Sequence, residues 1–313
     1  MKGKDLLSVA DLRGDEILAL IPDAINMKDG GWLSVLDKKI AALLFEKPSL
    51  RTRISFEVAM RELGGQSLYL SPAEVGLGER ESVPDVARVL SRYVDAIICR
   101  TFSPQTLRVL AEYSAVPVIN ALSDLEHPCQ ALADLLTIYE KKGEPSSLTL
   151  AYIGDGNNVA HSLLLAAALT GMNVRIASPA GYTVQDDILG MARGYARISG
   201  AEITSTEEPY LAVNGADVVY TDAWTSMGQE AEAQERRSVF ADYQVNRKLM
   251  SLAKRDAILM HPLPAHRGEE VTDDILDSPQ SVVFDQAENR LHAQKALLAY
   301  LLGGIEVPPA GYR

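Results

Sequence analysis

The chain has 313 residues, 47 % of them hydrophobic, which is enough for one large or two medium folded domains and argues against disorder. Its 30 basic residues against 42 acidic ones give a formal net charge of -12, which disfavours nucleic acid and anionic membrane surfaces as partners. Cys99 and Cys129 have no zinc-site spacing and the five histidines are scattered, so no metal is expected. The opening residues MKGKDLLSVADLRGDE hold no apolar run suited to a signal peptide. LLLAAALTGM is too short to cross a membrane, so a soluble, cytoplasmic protein is expected.

In chain order, KIAALLFE reads as a buried strand and TRISFEVAMREL as a helix closed by Gly64 and Gly65. QSLYL, DAIICR and PVINAL read as strands, alternating with helices over VPDVARVLSRY and SPQTLRVLAEYS. A helix from about Cys129 to Tyr139 precedes KKGEPSS, the most linker-like stretch. The alternation then restarts with LTLAYIG, a helix through SLLLAAALTGM, NVRIASP, a helix near Asp186 to Ser199, AEITST, ADVVYTD, AILMHPLP and SVVFD. ENRLHAQKALLAYLL reads as a final helix. Short apolar strands alternating with amphipathic helices mean parallel sheets built from βαβ units. The expected fold is α/β, with two doubly wound parallel-sheet domains and an interdomain cleft. The expected domains are 1–140 and 141–288, with 289–313 a C-terminal helix packing back on the first.

Polar residues gather where those strands end. Ser49 follows the first, Arg100 ends the third and His127 lies past the fourth. Asn158, Asp222, His261 and Arg290 follow strands of the second half. Open parallel sheets bind ligands at the carboxyl ends of their strands, so these residues mark the expected site.

FEKPSLRTR points to an anion. Ser49 is placed to cap a helix whose free amides and positive end favour negative charge. Thr52 adds a hydroxyl, Arg51 a planar fork suited to phosphate oxygens, and Arg53 a group that can orient the others. A capped helix with solvated arginines is the plain alternative. The return of Arg100 and His127 at equivalent strand ends favours a phosphate site. Cys129 invites a thiol nucleophile, although a cysteine on an apolar helix is usually core.

AYIGDGNNVAHSL has the strand, Gly-x-Gly and helix of a dinucleotide turn, the signature of a rival class, a nicotinamide-dependent oxidoreductase. Val159 stands where the third glycine belongs, and NVRIASP ends without the acid that would hold the ribose. The glycines are therefore read as making a tight turn.

FEKPSLRTRISFE, HPCQALADLLTI, DAWTSMGQE, HPLPAHRGEE and FDQAENRLHAQKAL resemble the carbamoyltransferases, the ornithine branch most of all. The likeness runs from residue 45 to the final helix. It implies that the anion is carbamoyl phosphate, cradled by Ser49, the Leu50 backbone, Arg51 and Thr52. Arg100 would bridge phosphate and carbonyl oxygen, His127 and Gln130 would reach the carbamoyl group, and Arg290 would close the pocket. The carbonyls of Pro262 and Leu263 would accept from the carbamoyl NH2, with a cis bond between Leu263 and Pro264. The catalytic set so implied is Arg51, Thr52, Arg100, His127, Pro262 and Leu263. L-ornithine would be held by Asn158, Asp222, Ser226 and Met227, with Gly228 letting the loop move. Asp222 read by itself is equally a helix cap or surface acid. The resemblance implies no cofactor and no metal, and a homotrimer or a multiple of trimers.

Some positions depart from the family pattern. Pro262 stands where the ornithine branch carries a cysteine, which keeps an aspartate-specific enzyme open; an N-acylornithine acceptor would lose the amine that Asp222 pairs with. Gly76 has no side chain to lend a neighbouring subunit, and Arg80 is either its substitute or a solvated loop residue. HRGEEVTDD and QERRSVFADYQV are expected to be solvated or interface charges. A non-catalytic binding protein of the same fold is the third reading.

Overall fold

The computed structural model describes residues 1–31, 34–78, 80–226 and 228–305. The chain divides into two units, Met1–Leu136 together with the chain from Glu288 onward, and Thr137–Ala287. Each carries one parallel sheet flanked by helices.

In the first unit β1 (Ile40–Phe45), β2 (Gln66–Leu70), β3 (Ala96–Arg100) and β4 (Val118–Leu122) lie in the order β2-β1-β3-β4. All three pairings are parallel. Helices Leu50–Glu62, Val83–Leu90 and Pro104–Tyr113 make the crossovers. β1 and β3 are almost wholly buried, which is why they read as unbroken apolar runs. Connections leave in opposite directions from β1 and β3, so the switch point lies between them. There Phe45 pairs with Arg100. The β3–β4 register shifts between Cys99 and Arg100, and such an irregularity re-aims the side chain that follows it.

An N-terminal helix, Gly14–Lys28, was not anticipated from the sequence; it buries Ile17, Leu20, Ile21, Ala24 and Met27 along one face. The spacing of those residues is helical and was legible. A second difference lies at SVVFD. Ser281 makes only an isolated bridge to Leu259, and Val283 already begins the final helix, Val283–Leu302. A short apolar run does not tell a strand from a buried helical turn. Arg290 therefore sits inside that helix rather than after a strand.

In the second unit β5 (Thr149–Ile153), β6 (Asn173–Ala177), β7 (Ile203–Thr206), β8 (Val218–Thr221) and β9 (Ile258–Met260) run in the order β7-β6-β5-β8-β9. All pairings are again parallel, and the switch point falls between β5 and β8. Trp224, Phe240, Ile153, Val219 and Leu259 belong to one buried cluster of this unit. The expected linker is compact. Lys141 and Lys142 end the Pro128–Lys142 helix, and Pro145–Ser147 form one 3-10 turn.

Candidate active site

Ser49 has extended backbone and caps the Leu50–Glu62 helix, its hydroxyl accepting from the Thr52 amide at 3.3 Å. Leu50 and Arg51 are exposed, whereas Thr52 is buried. From the final helix, Arg290 donates to the Thr52 hydroxyl at 3.3 Å and to Gln130 Oε1 at 2.6 Å. Gln130 in turn donates to Asp134 at 2.8 Å, one helical turn on, which fixes its amide with the oxygen toward Arg290.

Arg100 is 7 % exposed, and its Nε has no hydrogen-bond partner among the described residues. Burial, with Arg290 and Arg51 close by, pushes its guanidinium down to about 10. Burial, then Arg290 and Arg100, hold His127 well below the usual imidazole value. His127 is thus neutral at neutral pH and able to donate a hydrogen bond without adding charge. Arg290 and Arg51 both add to what burial does to the Arg100 guanidinium, so an anion beside Arg100 would relieve that repulsion.

Lys47, four residues before Arg51, ties the surrounding loops together. It is 4 % exposed, pairs with Asp124 and lies 4.0 Å from the centre of the Phe102 ring. The backbone joins the same loops, with Glu46 N–H donating to Arg100 O at 2.8 Å and Asp124 N–H to Phe102 O at 2.9 Å. Arg53 turns elsewhere, bonding Glu57 at 2.8 Å and lying 3.8 Å from the Tyr69 ring centre. Arg80 is exposed and donates to Glu74 O at 3.4 Å. Burial pushes the Cys129 thiol up to about 12, and Sγ lies 3.6 Å from Asn120 O, so it is no thiolate nucleophile.

In the second unit the Gly-x-Gly turn has a steric cause. A Cβ on Gly156 would stand 2.2 Å from Val184 N, so only glycine lets the two backbones pass. β6 ends at Ala177 with Ser178 next, so no carboxylate waits for a ribose. Asn157 caps the following helix, accepting from Val159 and Ala160 at 2.9 and 3.1 Å. Its Nδ2 donates to Asp222 at 2.8 Å across the switch point. Asn158, expected to bind the acceptor, is the first helical residue and half-buried; Asn157 beside it makes the bond to Asp222. Burial raises the Asp222 carboxyl, opposed by His261, the Asn157 bond and the Ala223 amide.

Ser226 N–H donates to Gln229 Oε1 at 3.0 Å, and Gln229 N–H returns to Ser226 O at 3.0 Å. Met227 lies outside the described residues. His261 is fully buried and organises the next turn. Its Nδ1 accepts from the Leu263 amide at 2.9 Å, which leaves Nε2 to donate to Glu270 at 3.0 Å. Pro262 and Leu263 are half-buried, and the Leu263–Pro264 bond is cis. The charge runs expected to be solvated or at an interface are so only in part. Glu270 and Arg236 are buried, because each has a specific partner within this unit.

Two family models cover the chain. The carbamoyl-P binding domain of aspartate/ornithine carbamoyltransferase matches residues 4–140, and its Asp/Orn binding domain matches residues 146–301. The ornithine carbamoyltransferase of Anoxybacillus flavithermus is 54 % identical over 306 residues, 96 % of this chain and 98 % of that protein. The anabolic one of Pyrococcus furiosus is 52 % identical over 98 % of both. The structure of the Pyrococcus furiosus ornithine carbamoyltransferase superposes with a TM-score of 0.94, covering 97 % of this chain and 99 % of that one at 52 % identity. The anabolic ornithine carbamoyltransferase of Campylobacter jejuni gives 0.91, with 95 % and 98 % covered at 41 % identity. The chain belongs to the aspartate/ornithine carbamoyltransferase family.

Proposed function

We propose that this chain is an ornithine carbamoyltransferase, moving the carbamoyl group of carbamoyl phosphate to the δ-amine of L-ornithine to give L-citrulline and phosphate. The observation that carries it is a gathering of cations at the first sheet's switch point: Arg100 is buried with its Nε lacking a hydrogen-bond partner among the described residues, Arg290 is fixed on Gln130 and Thr52, and burial, then Arg290 and Arg51, lower the Arg100 guanidinium, a setting suited to a phosphate dianion. The first unit takes carbamoyl phosphate: Ser49, the Leu50 amide, Arg51 and Thr52 on the phosphate, Arg100 and His127 on the carbonyl oxygen. Gln130 and Arg290 complete that wall, and the carbonyls of Pro262 and Leu263 are acceptors suited to the carbamoyl NH2.

The δ-nitrogen lone pair attacks the carbonyl carbon, and the carbon–oxygen bond to phosphate breaks. The proton lost by the nitrogen leaves on the phosphate, so the reaction balances without a further base. Donors aimed at the developing oxyanion are worth about 3–4 kcal/mol each in comparable sites. The free amine would titrate near ~10.4, so it must react deprotonated, which burial favours.

Asp222 selects the acceptor, pairing with the α-ammonium, while Asn158, Ser226 and Met227 shape its seat. An aspartate acceptor brings a second carboxylate, which the Asp222 lining repels. We further read the enzyme as a cytoplasmic homotrimer in arginine metabolism, with a solution mass three times the chain's 34.0 kDa. Among the described residues no helix is long and apolar enough to cross a membrane. The test measures citrulline from ornithine beside carbamoyl-aspartate from aspartate. Turnover of aspartate alone defeats the acceptor assignment, and binding of both ligands without turnover defeats the enzyme.

A further inference from the structure

Asp155 and Arg236 have no part in the roles above, yet both are buried, at 7 % and 6 % exposure. Asp155 lies in the turn after β5, and Arg236 lies in the Ala233–Val239 helix. Arg236 Nη1 donates to Asp155 Oδ2 at 2.9 Å and to the Trp224 carbonyl at 2.9 Å. Its Nε reaches Glu232 at 3.0 Å, and its guanidinium lies 4.9 Å from the Tyr182 ring centre. Trp224 stands two residues after Asp222 and stacks on Phe240 with centroids 5.8 Å apart. Beyond Trp224, the bonds at Ser226 and Gly228 run to Gln229 and Glu230 of the same loop.

Arg236 thus holds the Trp224 carbonyl against the β5 turn, two residues beyond the Asn157–Asp222 bond that begins the same loop. A buried ion pair contributes little net stability, since apolar residues of similar volume often serve as well. What this pair supplies is direction. We propose that Arg236 is the positioning residue of the acceptor site: by fastening Trp224 to Asp155 it sets how Asp222 and Ser226 are presented, and so governs affinity for the amino-acid acceptor without touching it. The inference rests on the reading of Asp222 and Ser226 as acceptor-binding groups.

The test compares wild type with Arg236→Gln, Arg236→Lys and Asp155→Asn. It records the KM of each substrate, kcat, the melting temperature and the Kd of norvaline, which is ornithine without its reactive amine. Arg236→Gln should raise the ornithine KM and norvaline Kd about tenfold or more, as expected for losing a hydrogen bond from a charged group. The carbamoyl phosphate KM should stay within about twofold, well under one hydrogen bond's worth. Arg236→Lys, which keeps the charge on Asp155, should recover part of the acceptor affinity. If Arg236→Gln does not fold, Asp155→Asn and Arg236→Lys are judged by the same split. An unchanged ornithine KM, or equal rises for both substrates, overturns the inference while leaving the proposed reaction intact. A wild-type chain that forms no citrulline overturns both.

Discussion

Arg290 donates to Gln130 Oε1 at 2.6 Å, and Gln130 is itself fixed by Asp134 at 2.8 Å. The guanidinium is therefore aimed before any substrate arrives, and its charge falls on His127 and Arg100. Arg290→Gln should raise the KM for carbamoyl phosphate by about 10- to 100-fold, the range for losing a charged hydrogen bond. It should also move His127 upward, because one of the two cations holding it down is gone; burial, the larger cause, keeps it below the usual value. An imidazole titration by NMR reads that direction, and a downward move would refute it.

Asp222 offers a second measurement. Asp222→Asn keeps the shape and a partner for Asn157 but removes the charge. The ornithine KM should rise about 10- to 100-fold, matching the ~1.5–3 kcal/mol of a hydrogen bond to a charged group. The carbamoyl phosphate KM should hold. Steady-state kinetics with each substrate varied in turn separates the two.

Lys47 gathers the loops after β1, β3 and β4 through Asp124 and Phe102. Lys47→Met leaves Asp124, whose side chain is 60 % exposed, in water, so the fold should survive. Losing the cation over the ring, worth up to about 2 kcal/mol when desolvated, should raise the carbamoyl phosphate KM roughly tenfold. A melting temperature lowered by many degrees with normal substrate affinity would make Lys47 a stability residue instead.

Two glycines make a matched pair for stability. At Gly156 an added Cβ meets Val184 N at 2.2 Å, while at Gly190, inside the Asp186–Ser199 helix, it meets nothing within 4 Å. Gly156→Ala should destabilise by about 1–3 kcal/mol or more through overpacking. Gly190→Ala should stabilise by about 0.5–1 kcal/mol through backbone entropy and helix propensity. Denaturant midpoints give both signs in one experiment.

The sequence carried the strands well, since buried parallel strands are unbroken apolar runs, and the polar residues at their ends follow from that. Three things were hidden. Whether Arg51, Arg100 and Arg290 face one another depends on strand order, which periodicity does not encode. Arg236 and Glu270 sit in charge runs that look solvated, and only their partners Asp155 and His261, far off in the chain, reveal burial. At SVVFD the apolar stretch was too short to separate a strand from the first turn of the last helix.

Thr52 and Arg290 are 238 positions apart, yet their side chains meet. A polypeptide emerging from the ribosome therefore cannot complete the proposed phosphate site until residue 290 has been made. Early fragments cannot draw on metabolite binding to hold them folded, because mass action stabilises only a form that can bind. Chains cut short before the last helix should be left to chaperones and proteases, however well their first sheet has formed.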